Sequence, residues 1–237
     1  MPIADGNPRG NHILRSLTAE QYARLEGHLH LSTMAGRDLA YAANDRITTV
    51  YFPISGVLSL VTSLTSGESL AVAMIGREGF VGHAVALGGD RMPYDVVCKL
   101  ASSSAAIRAD VLREHVRADP TLAALLLRST AALFDQVALV ATCNRLHPVE
   151  QRLARCLLMM HDRTGLAEFP MTHEFLAEML GVRRATITEA AIALQQAGLI
   201  RHARGRVAIA DRAGLEAVAC ECYQAMRGHR GPERLAA

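Results

Sequence analysis

Arg183 and Arg184 stand just past Gly181, at the start of the second of two short helical patterns in HEFLAEMLGVRRATITEAAI (173–192). An arginine fork can bridge O6 and N7 of a guanine in the major groove, and a carboxylate such as Glu189 can accept from a cytosine amino group. A second helix over roughly Arg183 to Gln196 leaves Arg183, Arg184, Ala185, Thr188 and Glu189 on its exposed N-terminal side, with Thr186 or Thr188 suited to a phosphate or a thymine methyl. Two helices meeting sharply need a small contact residue, a turn residue tolerant of left-handed geometry and apolar inner faces. Ala177, Gly181 and the set Leu176, Leu180, Val182, Ile187 and Ala190 supply these, and Thr172 can cap the first helix. Downstream, GLIRHARGRVAIAD (198–211) reads as two short strands around Gly205, a wing whose tip carries Arg204 and Arg206 for backbone phosphates. Charge agrees with this placement: residues 1–143 hold 12 Lys/Arg against 13 Asp/Glu, whereas 144–237 hold 13 against 10.

Other chemistry is thinner. The five cysteines, Cys98, Cys143, Cys156, Cys220 and Cys222, are widely spaced with no C-x-x-C, which predicts reduced, packed thiols rather than disulfides or a zinc knuckle. Cys220 and Cys222 form a C-x-C pair, but two ligands do not close a metal site, so no metal is expected. His28 and His30 bracket an HLH triplet that invites a cupin-like metalloenzyme reading. Those histidines close a helical pattern ahead of the strands, and no matched Glu and third His follow. Without a nucleophile elbow, phosphate loop or HExxH motif, the chain reads as a non-enzyme. A protein-binding dimer that uses the winged element as an interaction surface is the other rival.

These residues need a frame. At 237 residues, half of them hydrophobic, the chain can bury a proper core. No run approaches the ~18–20 apolar residues of a membrane span, and MPIADGNPRG lacks a secretory layout, so a cytoplasmic protein with no membrane partner is expected. LTAEQYARLEGHL (17–29) opens with a capping-box spacing, Thr18 to Gln21. From about 36 to 107, runs such as ITTVYFPI, GVLSLVTSL and SLAVAMI between glycines predict an antiparallel strand unit of sandwich, barrel or jelly-roll type. Helical texture then takes over, first in DVLREHV and next in a long pattern from Pro120, where Leu122, Leu126, Leu133, Val137 and Val140 form an apolar seam read as a dimer interface. His147-Pro148 marks a hinge.

The fold class is therefore α+β: an N-terminal antiparallel, jelly-roll-like β-roll sensor domain with its leading helix (1–118), a dimerisation helix and hinge (119–146), a C-terminal winged helix-turn-helix domain (147–226) and a flexible tail (227–237). This order of parts resembles the Crp/Fnr family of bacterial transcription regulators, most specifically in LAEMLGVRRATITEAAIALQQAGLI (176–200), then in YFPISGVLSLV (51–61) and IGREGFVG (75–82). The resemblance implies a cytoplasmic homodimer on near-palindromic double-stranded DNA, with half-sites about one helical turn (~34 Å) apart, RNA polymerase as a further partner and an effector event in the β-roll.

In the cyclic-nucleotide-binding members a Gly-Glu-Leu element holds the ribose and an Arg-Ser/Ala pair holds the cyclic phosphate. The matching places here are Gly82-His83-Ala84 and Met92-Pro93-Tyr94, with Arg91 one place away, so the effector-pocket candidates are Gly82, His83, Arg91, Met92 and Tyr94 and a cyclic nucleotide is not expected. No cysteine precedes Cys98, which removes the family's N-terminal iron–sulfur cluster; His83 or the HLH triplet, His28 and His30, could offer a haem ligand, but lone histidines are more often surface or packed residues, so haem is not expected. Where the family's recognition helix carries a glutamate and a second arginine, this chain has Ala185 and Glu189, so its target sequence is expected to differ.

Overall fold

The computed structural model describes residues 6–228. Of the tail expected over 227–237, residues 227 and 228 close a helix and the rest lies outside the described residues. A short turn of 3-10 helix, Pro8–Gly10, and α1 (His12–Ser16) precede α2 (Ala19–Glu26). The capping box forms as its spacing predicts: the Thr18 hydroxyl accepts from the Gln21 amide and the Gln21 side chain accepts from the Thr18 amide. The sequence pattern did not reveal α1. It is held by Asn11, buried, whose side-chain amide donates to Pro53 O and Gly79 O at 2.9 Å each and so pins the N-terminal segment to the strands.

The strand unit comprises β1 (His30–Met34), β2 (Leu39–Tyr41), β3 (Thr49–Ser63), β4 (Ser69–Ile75), the single-turn helix α3 (His83–Ala86) and β5 (Asp95–Arg108). All strands pair antiparallel in the order β1, β5, β3, β4, with β2 also on β5. Gly56, expected to separate two strands, instead lies inside the single long β3. Its φ of +75° and the 2.3 Å that a Cβ would leave to Ala101 O let the chain bend there, and the register against β5 shifts on either side. His30 begins β1 rather than ending a helix, so the HLH triplet straddles two elements, and the His28 ring lies 5.5 Å from that of His115.

Next come α4 (Ala109–Ala118) and α5 (Pro120–Leu146), the latter capped by Asp119 with proline in its first turn. The expected seam on α5 is corrected by burial. Leu122 and Leu126 are buried in the β-roll core, Leu133 and Val137 pack against it, and Val140 is buried in the core shared with α6, α7 and α8, so this face of the helix is covered by the protein's own chain. The opposite face carries Leu127, Ala131, Phe134, Ala138 and Ala141, exposed at alternating four- and three-residue steps, with Phe134 73% exposed. The 27-residue α5 is also long and apolar enough to cross a membrane by length and composition, which corrects the expectation that no run approached that limit.

After the two residues His147 and Pro148, α6 (Val149–Thr164) starts, His147 being extended as the proline after it demands. The remaining elements are β6 (Glu168–Pro170), α7 (His173–Leu180), α8 (Arg184–Gln196), β7 (Ile200–Ala203), β8 (Arg206–Ile209), α9 (Arg212–Val218) and α10 (Cys222–Gly228). β6, β8 and β7 form a three-stranded antiparallel sheet, its first strand unforeseen because three residues carry too little period to read. The apolar core splits in two. One part fills the β-roll beneath α5, and the other joins α6, α7 and α8 to Val57, Val61, Ala71, Met74 and Leu100 of the strands, so the C-terminal unit is docked on the β-roll through apolar surface.

Candidate nucleic-acid interface

The bend between α7 and α8 forms because Gly181 adopts φ 60°, ψ 43° and its amide closes the last turn onto Ala177 O. Leu176, Ala177, Leu180, Ile187 and Ala190 are buried where the two helices meet. Thr172 caps α7, accepting from the Phe175 amide at 3.2 Å. Arg183 is the N-cap of α8 with no side-chain cap of its own, so the first amides of the helix are left for an outside acceptor. Arg183, Arg184, Ala185 and Glu189 are exposed. Thr186 is half-buried, and Thr188 is committed inward: its hydroxyl donates to Arg184 O at 3.1 Å and meets His173 Nδ1 at 2.9 Å. In the wing, Arg204 (φ 51°) and Gly205 (φ 71°) make a two-residue turn of the type that matches strand twist, and Arg204 projects from its tip. Arg206 is drawn back into an ion pair with Glu168 on β6, which neutralises the charge expected at the tip.

The leading end of α8 faces the β-roll. Arg183 and Arg184 line a cleft whose other wall includes Leu64, Glu68 and Leu70 of the β3–β4 hairpin. Contact is close, since a Cβ on Gly181 would come within 2.8 Å of the Leu70 side chain. Two ion pairs tie the units together. Lys99 Nζ of β5 lies 2.6 Å from Glu178 Oε1 of α7, with 3% and 35% of the two side chains exposed, and it sits 5.2 Å from the centre of the Phe175 ring. Arg163 of α6 enters the β-roll with its Nε 2.8 Å from Glu78 Oε1, an ion pair whose N–H is not aimed along the contact. Its guanidinium also donates to Met74 O at 3.0 Å and to Gln136 Oε1 of α5 at 3.2 Å.

That web sits in a cleft between β4, α3, α5 and α6 where Glu78, His83, Leu133, Gln136 and Arg163 meet, enclosing about 60 Å³. Of the expected pocket residues only His83 lines it. His83 Nε2 pairs with the Tyr94 hydroxyl, the two rings are stacked, and Nδ1 is buried with no partner among the described residues. Burial lowers the His83 pKa to about 4 and raises that of Tyr94 to about 12. Gly82, at φ 110°, lets the chain turn close against Val50; Met92 is buried in the β-roll core. Arg91 is exposed and donates to Asn44 O at 2.5 Å, outside the cleft.

Comparison with known proteins follows the same division of the chain. The family model for the cyclic nucleotide-binding domain matches residues 34–119, and the one for the Crp-like helix-turn-helix domain matches residues 151–218. The chain belongs to the Crp/Fnr family of transcriptional regulators. It is 25% identical over 179 residues to the transcriptional regulator SdrP of Thermus thermophilus, covering 71% of this chain and 83% of that protein. In fold it is similar to FixK2 from Bradyrhizobium japonicum, at TM-score 0.67 and 15% identity over 81% of this chain and 98% of the other. A CRP-family regulator from Thermus thermophilus matches at TM-score 0.67 and 22% identity, over 79% and 96% of the two chains.

A cyclic nucleotide, which the family implies, finds a poor fit in these residues. The position of the ribose carboxylate is His83, Arg91 points out of the cleft, and the buried guanidinium that does enter it, Arg163, is already neutralised by Glu78. An enclosed volume of about 60 Å³ admits water and falls far short of the ~300 Å³ at which ligand pockets begin.

Several residues escaped the sequence reading. Arg163, Glu78, Gln136, Lys99 and Glu178 lie on different elements and carry no local signal. Cys143 and His147 stand four apart at the foot of α5 and meet the Cys220/Cys222 pair, so the two packed thiols expected there are half of a four-residue cluster. Within it Cys143 Sγ and Cys220 Sγ are 3.5 Å apart. That contact holds the Cys143 pKa down, with the Arg155 charge adding to it, and pushes that of Cys220 up.

Proposed function

We propose that this regulator binds duplex DNA sequence-specifically as a homodimer on a near-palindromic site, and that the structure is its resting posture. One observation carries the DNA reading: beyond the left-handed turn at Gly181, an uncapped helix start presents Arg183 and Arg184, unburied, with Ala185 and Glu189 on the same side. Arg184 and Glu189 serve as base readers; Thr172, Thr186, Arg204 and the α8 amides serve as phosphate contacts, and Thr188 and Arg206 support their neighbours. The partner copy meets the outer stripe of α5, where exposed Leu127, Ala131, Phe134, Ala138 and Ala141 repeat at coiled-coil steps, in place of the inner seam.

The division into units at 1–118, 119–146 and 147–226 fits this reading, with the hinge at His147. For α8 to enter a groove, the C-terminal unit swings away from the β3–β4 hairpin, separating Lys99 from Glu178 and Arg163 from Glu78. The signal acts at the cleft around His83, which in the resting posture admits only water and which a ligand other than a cyclic nucleotide enters as Arg163 is displaced and the cleft widens. The site of action is the cytoplasm, where RNA polymerase is the further partner, and the chemistry is binding, not catalysis.

The test is Arg184→Ala on a selected operator and on random duplex. The loss expected on the operator is about 1–3 kcal/mol, with relaxed preference at one base pair and little change on random DNA. Equal loss on both makes Arg184 a phosphate contact and removes it from the reading helix face.

A further inference from the structure

Cys143, His147, Cys220 and Cys222 bring one ligand atom each to within 4.8 Å of one another, and the three cysteines are buried. The Cys143 and Cys220 sulfurs are 3.5 Å apart, and Cys222 Sγ is 3.7 Å from His147 Nδ1. A tetrahedral site with Zn–S bonds of about 2.3 Å has ligand-to-ligand edges of about 3.8 Å, so both distances are those of ligands already gathered around one point. His147 is also held in the orientation that a ligand histidine needs. Its other nitrogen, Nε2, lies 3.2 Å from Glu221 Oε1, the carboxylate–imidazole arrangement that fixes the tautomer and leaves Nδ1 as the donor.

Charge supplies an independent argument. Arg152 and Arg155, both buried on α6, lie close enough to Cys143 for their charges to act on it. Arg152 reaches Leu180 O, Arg155 reaches the sulfurs of Met159 and Met226, and the Nε of each has no hydrogen-bond partner among the described residues. Neither is ion-paired to a carboxylate among the described residues, although buried cations need an anion nearby. Three thiolates around a divalent ion leave one net negative charge, which is what these two guanidinium groups lack.

We propose that Cys143, His147, Cys220 and Cys222 bind a single zinc ion in a closed, structural Cys3His site that ties the foot of α5 to the start of α10 across the His147 hinge. Each thiol releases its proton to solvent as its Zn–S bond forms and a water leaves the hydrated ion; neutral His147 gives its Nδ1 lone pair. Four protein ligands leave no open position, so the ion performs no catalysis; with His147 itself a ligand, it pins the pivot about which the C-terminal unit swings.

The full-length protein, purified under reducing conditions without chelators, is tested by elemental analysis, by reconstitution with Co(II) and by X-ray absorption. One zinc per chain, a tetrahedral cobalt spectrum with thiolate charge-transfer bands, and a shell of three sulfurs and one nitrogen are expected. Cys143→Ser and Cys220→Ser lose the metal, Cys156→Ser keeps it, and Glu221→Gln weakens it by about 10–100-fold against a competing chelator. Should the serine variants fail to fold, the wild-type absorption and cobalt spectra decide alone. A metal-free protein that gives an octahedral cobalt spectrum, or an intact mass short of two hydrogens from a Cys143–Cys220 disulfide, overturns the proposal.

Discussion

Removing Glu178 should release the DNA-reading end of the molecule. In the docked posture 3% of the Lys99 side chain is exposed and Glu178 is its ion-pair partner at 2.6 Å, with 35% of the Glu178 side chain open to water. Deleting one partner of a fully buried pair costs about 3–5 kcal/mol, because the other charge stays behind unpaired. Water access to Glu178 screens part of that, so we take about 2 kcal/mol against the docked posture for Glu178→Ala. Once the units separate, Lys99 is hydrated and the penalty vanishes, so the whole of it shifts the equilibrium. While the docked form dominates, apparent DNA affinity scales with the open fraction, and about 2 kcal/mol is about 30-fold.

The assay is fluorescence anisotropy on a selected operator without added ligand. Glu178 sits on α7 near the DNA, so losing its negative charge could tighten binding by itself; Glu174→Ala, exposed on the same helix, measures that contribution. Lys99→Met, on the β-roll and away from any groove, should tighten binding about fivefold, since the carboxylate it leaves is partly hydrated. If Glu178→Ala gains no more than Glu174→Ala, or if Lys99→Met weakens binding, the docked posture does not hold the reader in check.

Two more outcomes follow from named contacts. Phe134→Glu should turn the dimer into monomers in light scattering, since two copies of a side chain worth about 2 kcal/mol each are lost from the interface; a persisting dimer places the interface elsewhere, whereas Leu133→Glu is expected to damage the β-roll core instead. His83 is held at about 4 when folded, against 6.5 when unfolded, so the unfolded chain takes up the proton first as the pH falls. Its contribution is therefore complete above pH 6.5 and is lost progressively towards pH 4, by about 3 kcal/mol at most. Urea unfolding of His83→Gln should show a correspondingly shallower acid slope, and an unchanged slope assigns the pH dependence to other groups.

What was legible in the sequence obeyed local rules. The Gly181 bend, the Thr18–Gln21 capping box, the Arg204-Gly205 turn and the Pro148 boundary each follow from backbone conformations that few residues tolerate, and each appears in the structure. The orientation of α5 was not legible, because this helix is apolar around most of its circumference and periodicity alone cannot say whether Leu126 or Leu127 faces the core. Gly56 misled in the other direction: a glycine marks a strand end or a bulge with equal force, and here it is the bulge. The interlock of Arg163 with Glu78 and of Lys99 with Glu178 spans 79 or more residues, and the Cys143–Cys220 and His147–Cys222 contacts span 77 and 75, so such pairings exist only once the chain has folded.

The central claim is that α8 reads base edges on a two-fold site. Selection of bound duplexes from a random pool, followed by sequencing, tests it most directly. The account predicts enrichment of near-palindromes with half-sites about one helical turn (~34 Å) apart and affinity that falls steeply with salt, with altered preference in Arg184→Ala. A pool that stays random after repeated rounds, or binding indifferent to both sequence and salt, contradicts it.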